Sequence, residues 1–186
     1  MRAFLPRSRW QDLSRRTSER CGEKCEVCGR SPREGSGLDR NEMWEFVDVD
    51  GANVQRLIGV IALCEWCHLT QHSGCAANNG RFEEVIMVLM EVNRWTHRRA
   101  MQDFDASVSE FKERSQSEWD LDLSVLTGWC ELPGEAGLIV PADRRGLLGN
   151  TYTKARAEIR PVFSGDVPAE VWDWDGRISL RQKGER

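Results

Sequence analysis

Helical spacing of apolar residues marks three segments of the chain. Residues 7–20 suit a short helix that Gly22 would end, and residues 81–95 suit a second helix. Thr96 is typical of an N-cap residue for a third helix. The residues that share a face in the three helices are Trp10, Leu13 and Thr17; Phe82, Val85, Ile86 and Leu89; and His97, Met101, Phe104, Val108 and Phe111. These stripes predict core packing, with His97 as a partly buried core residue.

Between the first and second helices, the pattern changes to the alternation of a β-strand. In residues 38–50, apolar side chains fall near alternate positions, and Asp50–Gly51 is a pair typical of a hairpin turn. Residues 57–63 are a continuous apolar run, which fits either a second strand or a buried turn. A further helix is expected to begin close to Cys67. These elements together predict an α+β fold.

After Gly128 the chain changes character. Proline and glycine interrupt short apolar runs, which leaves two interpretations: a small β-rich lobe, or an irregular extension packed on the helices. Trp172 and Trp174 indicate that this region docks on another surface, and a protein partner is expected to bind through it. The predicted organisation is a basic N-terminal helix (1–20), a cysteine-bearing module (21–80), a two-helix segment (81–127) and a C-terminal extension (128–186).

Length and composition place the chain among ordinary globular proteins. Of its 186 residues, 30% are charged and 40% hydrophobic, and no apolar stretch approaches the roughly 20 residues of a membrane span. The first residues carry charge but lack the apolar run of a signal peptide. We therefore expect a cytoplasmic protein that does not contact a membrane. In a reducing compartment, its seven cysteines favour metal binding over disulfides.

Positive charge is concentrated at the start of the chain. The net charge of −4 argues against a wholly basic nucleic-acid binder, yet the first 20 residues have six arginines and two acidic residues, a net charge of +4. A helix of this kind could lie against DNA phosphates. A solvated helix face accounts for the same charge equally well. The candidate phosphate contacts are Arg7, Arg9, Arg15 and Arg16.

Two C-x-x-C pairs carry the strongest chemical signal in the sequence. Cys25 and Cys28 form the first pair (CEVC), and Cys64 and Cys67 form the second (CEWC), with 35 residues between them. Two residues between thiolates allow both sulfurs to reach one tetrahedral ion. The alternative is a pair of redox dithiols, but no βαβ pattern surrounds either motif. We therefore predict one structural zinc ion held by the four cysteines.

Two histidines follow the second cysteine pair. His68 and His72 are four residues apart, so on a helix they would share a face and could bind a single metal ion distinct from the zinc. Taken alone, the spacing could also be a coincidence or a modification of the zinc site.

In their order and spacing, these motifs resemble those of the HNH endonucleases. CEVC is followed by LDRNEMW ahead of the predicted hairpin, and then by LCEWCHLTQH. The basic helix before the first cysteine pair and the helices after the second also match the usual layout of that family, so the resemblance covers roughly residues 5–125. It is closest to a phage and bacterial subgroup with a His-Glu-aliphatic-Trp strand motif.

The resemblance implies a ββα-metal fold, in which a hairpin and a helix hold one divalent ion beside a four-cysteine zinc. By position, His68 and His72 would be the helix ligands, Asn41 the strand ligand, and Glu42 the base that activates water. The ion would be Mg²⁺, Mn²⁺ or Ni²⁺, and the substrate would be a DNA phosphodiester. The ion would neutralise charge on the phosphorus centre, and the base would activate the attacking water by accepting its proton.

Three positions depart from the family pattern. Asn41 stands where the family has histidine or aspartate, Glu42 where most members have a histidine base, and Gly59 where an asparagine usually tethers the hairpin loop. A neutral amide is a weaker ligand, and a carboxyl group with an ordinary pKa of about 4.3 is a poorer base at pH 7. Glu42 could instead serve as a third ligand beside the two histidines.

Two functions are therefore open at the level of sequence. One is a metal-dependent DNA endonuclease of HNH type with weakened activity. The other is an inactive HNH-like zinc module that binds DNA or a protein partner, as an inhibitor or assembly factor. A zinc-finger transcription factor is disfavoured because basic recognition helices are missing.

Overall fold

The computed structural model of the protein describes residues 5–135, 137–148, 158–168 and 171, and it combines helices with strands as the α+β prediction requires. The helices are α1 (Arg7–Cys21), α2 (Glu65–Gln71), α3 (Ser73–Asn78), α4 (Phe82–Asn93) and α5 (His97–Arg114). The strands are β1 (Asp39–Val49), β2 (Ala52–Leu63), β3 (Asp120–Asp122), β4 (Cys130–Glu131), β5 (Ile139–Val140) and β6 (Val162–Phe163). Within the described residues, no helix has the length and apolar character needed to cross a membrane.

The N-terminal helix α1 forms where its apolar spacing predicts it. Gly22 ends the helix with a φ of 58°, a left-handed conformation that glycine adopts without strain. Leu13 and Thr17 lie on the buried face, and the Thr17 hydroxyl donates a hydrogen bond to the Leu13 carbonyl oxygen at 2.8 Å. This bond satisfies the hydroxyl inside the core, so the face can pack against β2.

Strands β1 and β2 form the predicted antiparallel hairpin. Asp50 and Gly51 have φ values of 53° and 85°, and positive φ at both residues gives a two-residue turn whose twist matches that of the strands. The Gly51 amide donates to a carboxylate oxygen of Asp48 at 3.0 Å, which holds the turn closed. The apolar run 57–63 lies within β2, so the strand interpretation of that run is confirmed.

The hairpin register brings the start of β1 beside the end of β2. Asp39 lies opposite Leu63, the residue immediately before Cys64. Helix α2 follows at once and packs on both strands. It begins at Glu65, two residues before Cys67, close to which the sequence predicts its start. The first residues of β1 are therefore next to the helix that carries the histidines.

Two strands from later in the chain complete the sheet. Strand β3 runs parallel to β2 and pairs antiparallel with β5, which gives the order β1-β2-β3-β5. Strands β4 and β6 form a separate two-stranded sheet. Because β4, β5 and β6 all come from the predicted C-terminal extension, the described part of that extension contains strands and shares a sheet with the hairpin.

One hydrophobic core joins α1, the sheet and the C-terminal region. Trp129 is 1% exposed within it, and its ring meets the Phe163 ring edge-on with centroids 5.0 Å apart. Other members of this core are Leu13, Leu57, Val60, Leu121, Val140, Ile159 and Val171. The described part of the extension thus packs on α1 and the sheet. Trp172 and Trp174, which the sequence indicates as docking residues, lie outside the described residues.

Helices α3, α4 and α5 pack around a second core. Ile86 and Ala100 are buried there, and the Phe82 and Phe104 rings meet edge-on at 4.9 Å.

The N-cap prediction for α5 is confirmed, since the Thr96 side chain accepts a hydrogen bond from the Arg99 amide at 3.3 Å. The expected partial burial of the histidine at position 97 is wrong. It occupies the first position of α5 and is exposed, because Ala100 occupies the buried side of that first turn.

Candidate metal centres

The two C-x-x-C pairs meet in one cluster. Cys25 and Cys28 lie in the turn after α1, while Cys64 ends the hairpin and Cys67 lies in the first turn of α2. Their sulfur atoms all lie within 4.8 Å of one another, and the Cys28 and Cys64 sulfurs are 3.6 Å apart. Sulfurs about 2.3 Å from a tetrahedral ion lie roughly 3.8 Å apart. The arrangement could therefore hold a metal ion, as the sequence predicts.

A charged residue inside the first motif fastens this cluster to the rest of the fold. The Glu26 amide donates to the Ala62 carbonyl at 3.0 Å, and the Ala62 amide donates to a Glu26 carboxylate oxygen at 2.7 Å. The same carboxylate receives two hydrogen bonds from the Arg20 guanidinium, at 2.6 and 2.9 Å. Glu26 thus links the first cysteine pair to α1 and β2. Sequence spacing did not single it out, because its partners are distant in the chain.

A hydrogen bond between the thiols of Cys25 and Cys67 shifts the pKa values of both groups, in opposite directions. The hydrogen bond from Cys67 lowers the pKa of Cys25 to about 4. The same bond raises the pKa of Cys67, to which burial adds, and burial also raises the pKa of Cys64. Binding of a cation would displace the remaining protons and take the place of these S–H bonds.

The other three cysteines lie outside the cluster. The Cys21 thiol donates to the Ser18 carbonyl at 3.3 Å, so this thiol is not one of the four clustered ligands despite its place near the first pair. Cys130 belongs to the main core, where burial raises the pKa of its thiol to about 12 and keeps it protonated. Cys75 is exposed on α3.

His68 and His72 also meet as the sequence predicts. His68 lies within α2, and His72 lies at the junction between α2 and α3. Their Nε2 atoms are 3.1 Å apart and their rings are perpendicular. Two nitrogens about 2.1 Å from one ion lie roughly 3.0 Å apart at a right angle and roughly 3.4 Å apart at a tetrahedral angle. The spacing of the two Nε2 atoms is therefore compatible with one shared cation.

An aspartate that sequence analysis missed holds the other side of the His68 ring. Asp39 Oδ2 lies 3.1 Å from His68 Nδ1. Partial burial lowers the pKa of His68, and the nearby charges of Asp39 and Glu42 oppose this effect without overcoming it. His68 is therefore a neutral imidazole at pH 7, the form that binds metals. Asp39 lies in the LDRNEMW motif, but only the hairpin register shows that it reaches the helix.

Asn41 and Glu42 are consecutive residues of β1. The Asn41 side-chain amide donates to the Glu42 carbonyl at 3.1 Å, which leaves the Asn41 amide oxygen as its possible ligand atom. Glu42 is near enough for its charge to act on His68. Within the described residues, however, only the four cysteines form a set of three or more histidine, cysteine or carboxylate ligands within 4.8 Å. Glu42 is thus near the histidine pair but not in a closed ligand set with it.

The four candidate DNA-contacting arginines on α1 lie in different surroundings. Arg7 is exposed, and Arg15 pairs with Glu19 on the same helix at 2.8 Å. The Arg9 guanidinium donates to the carbonyls of Phe163 and Gly165. The Arg16 guanidinium meets the Asp166 carboxylate at 2.8 Å. Two of the four therefore contact the C-terminal segment 163–166.

Comparison with known proteins adds no relative. No protein-family model matches the chain, and neither a curated protein nor a solved structure matches it.

Proposed function

We propose that the chain is a metal-dependent DNA endonuclease of HNH type that hydrolyses phosphodiester bonds. The observation that carries the proposal is the 3.1 Å separation of His68 Nε2 and His72 Nε2, on a helix packed against an antiparallel hairpin and beside the four-cysteine cluster. In this proposal, hairpin and helix form a ββα-metal module. The cysteines hold a structural Zn²⁺, and the histidines bind a second ion, Mg²⁺, Mn²⁺ or Ni²⁺.

The two sites have different roles in the proposal. A closed four-thiolate site has no open position, so it supports the fold and takes no part in chemistry. His68 and His72 would hold the second ion, and two protein ligands would leave room for water and phosphate oxygens. The chemistry that such an ion would supply is positive charge beside the phosphate.

The remaining chemistry falls to residues of β1. Glu42 lies near His68 and would accept a proton from the attacking water as the new oxygen–phosphorus bond forms. The bond to the 3′ oxygen would break, and that oxygen would take a proton from solvent. Asn41 would add its neutral amide oxygen as a weak ligand. A carboxylate base and an amide ligand both predict slow cleavage relative to histidine at these positions.

A second candidate function follows from the arginine contacts. Arg9 and Arg16, which would have bound DNA backbone, contact segment 163–166. This favours a zinc-braced module that binds a protein partner, with no cleavage of DNA. Cytoplasmic location and DNA or protein as partner remain predictions under both functions.

Plasmid cleavage in Mg²⁺, Mn²⁺ or Ni²⁺ tests the proposal. The native protein should nick DNA, and His72→Ala and Glu42→Ala should each reduce the rate by at least 100-fold. His97→Ala is a matched control, because it removes the remaining histidine at an exposed position far along the chain. Activity that survives in both site variants would belong to another site or a contaminant. Absence of cleavage with every metal would leave the binding function.

A further inference from the structure

Asp39 is the first residue of β1, and its carboxylate lies 3.1 Å from His68 Nδ1 across the junction between hairpin and helix. Its side chain is 55% exposed and that of His68 is 28% exposed, so the contact lies at the rim of the site, not in a sealed interior. A polar contact this exposed to solvent contributes little to stability. The contact therefore acts through the orientation and tautomer of the imidazole and adds little to the free energy of unfolding.

A neutral imidazole carries one N–H, and its position depends on the partner of each nitrogen. A carboxylate only accepts hydrogen bonds, so the contact with Asp39 places the proton on Nδ1. The lone pair is then on Nε2, the nitrogen that lies 3.1 Å from His72 Nε2. The two contacts of His68 are thus made by opposite nitrogens, one to a carboxylate and one toward the second histidine.

Asp39 does not complete the ligand set itself. With His68 and His72 it does not form a group of ligand atoms within 4.8 Å of one another, whereas the four cysteines do. It contacts the nitrogen of His68 that faces away from His72. A carboxylate behind a metal-binding imidazole fixes the ring orientation and tautomer and raises the basicity of the ligating nitrogen.

The backbone supports this placement of Asp39. The residue pairs with Leu63 in the hairpin register, and Leu63 precedes the cysteine that starts the second pair. The His68 amide in turn donates to the Cys64 carbonyl at 2.9 Å. Both partners of the Asp39–His68 contact are therefore held by backbone hydrogen bonds at the cysteine cluster, where a tetrahedral ion would limit their relative movement.

We propose that Asp39 is a positioning residue, which holds the Nδ1 proton of His68 and directs Nε2 toward a divalent ion shared with His72. This inference rests on the proposed function for the identity of the ion, and it adds a residue to which neither the motifs nor their resemblance assigns a role. It also separates Asp39, which orients a ligand, from Asn41 and Glu42, to which the proposed function gives the roles of weak ligand and base.

The test uses the full chain with its cysteine site filled by Zn²⁺, so that added Mn²⁺ reports on the histidine pair. In calorimetric titration, Asp39→Ala should weaken Mn²⁺ binding 10- to 100-fold, and Asp39→Glu should recover most of the affinity because a carboxylate is retained. Asp105→Asn removes a carboxylate from an exposed position of α5 and serves as the control, with affinity unchanged.

Nitrogen-15 NMR of the imidazole rings gives a readout that does not depend on a second ion. Before Mn²⁺ is added, native His68 should carry its proton on Nδ1, and Asp39→Ala should shift the proton toward Nε2. Circular dichroism of Asp39→Ala beside the native protein identifies a general loss of folding.

The outcomes separate this inference from the proposed function. If the native protein binds Mn²⁺ and Asp39→Ala binds it equally well with an unchanged tautomer, the positioning role is overturned and the proposed function stands. If the native protein binds no Mn²⁺, Mg²⁺ or Ni²⁺ at the histidines, the proposed function fails. The ion-directing part of the inference then fails with it, and the tautomer shift still decides whether Asp39 orients His68.

Discussion

The Arg20 guanidinium and the Glu26 carboxylate form a two-pronged ion pair, with nitrogen–oxygen distances of 2.6 and 2.9 Å. Both side chains are mostly buried, at 18% and 16% exposed. The same guanidinium donates to the Val60 carbonyl at 2.9 Å, and the carboxylate accepts from the Ala62 amide. One pair of residues thus joins helix α1, the first cysteine pair and strand β2.

Replacing this carboxylate should destabilise the fold. Glu26→Ala leaves the Arg20 guanidinium and the Ala62 amide without their shared acceptor, and we expect a loss of about 2 kcal/mol in the free energy of unfolding. Urea unfolding with the metal bound measures it. Glu23→Ala, at an exposed position of the same loop, is the control. An unfolding free energy within about 0.5 kcal/mol of the native value would show that the pair contributes no net stability.

Removal of the cysteine-bound ion should loosen the junction between hairpin and α2. A strong chelator is expected to lower the melting temperature by roughly 10 °C or more, because the site is expected to contribute several kcal/mol and each kcal/mol shifts the midpoint by about 2–4 °C in a chain of this size. Atomic absorption should give one zinc per native chain and none for Cys67→Ser. Cys75→Ser, which changes an exposed thiol, should keep the zinc.

Substitution of the strand ligand should strengthen the proposed catalytic site. Asn41→His replaces a neutral amide with an imidazole, a better ligand for Mn²⁺ and Ni²⁺, and we expect plasmid nicking to rise at least tenfold. The cleavage rate at saturating metal, with the metal titration curve beside it, measures the change. An unchanged rate together with an unchanged metal affinity would mean that position 41 does not face the ion.

Asp122 should make stability depend on pH in the acid range. Burial raises the pKa of this carboxyl, but hydrogen bonds from Ser124 and Arg56 outweigh it, so the pKa of Asp122 is lower in the folded state than in the unfolded chain. The resulting stabilisation is present above the unfolded pKa of about 3.9 and is lost as pH falls through the folded value. The contacts should contribute about 2 kcal/mol at pH 7.

Unfolding of the native protein and of Asp122→Asn from pH 7 to pH 3 measures this contribution. The difference in unfolding free energy between the two should be largest near pH 7 and should shrink below pH 4. Because acid would release an ion bound by the four cysteines from both proteins, the comparison cancels that effect. A difference that does not change with pH would contradict the lowered pKa.

Release of Arg16 should strengthen DNA binding if α1 contacts phosphates. Asp166→Asn removes the charge that meets the Arg16 guanidinium at 2.8 Å. We expect a several-fold gain in affinity for duplex DNA, with the slope of log affinity against log salt steeper by about one. Fluorescence anisotropy over a range of salt concentrations measures both. An unchanged affinity in Asp166→Asn, together with full affinity in Arg16→Ala, would exclude Arg16 as a phosphate contact.

Local patterns in the sequence predicted the regular elements well. The structure contains each predicted element whose signal depends on residues within a few positions of each other. These elements are helix α1, the Asp50–Gly51 turn, the Thr96 N-cap and helices α4 and α5. The sequence also predicted that the four cysteines lie in one cluster, because two C-x-x-C motifs in such a chain are typical of a shared metal site. The exposed position of His97 shows the limit, since a helical stripe does not say where packing ends.

What the sequence determined by itself is the set of candidate metal-binding groups: four thiols, and two imidazoles four residues apart. What only the tertiary structure decided is which groups surround them. Asp39 reaches His68 through the β1–β2 register, Glu26 reaches Arg20 and Ala62 through packing of α1 on the hairpin, and Arg16 reaches Asp166 from 150 residues away. These contacts depend on register and packing between distant segments, which leave no periodic trace along the chain.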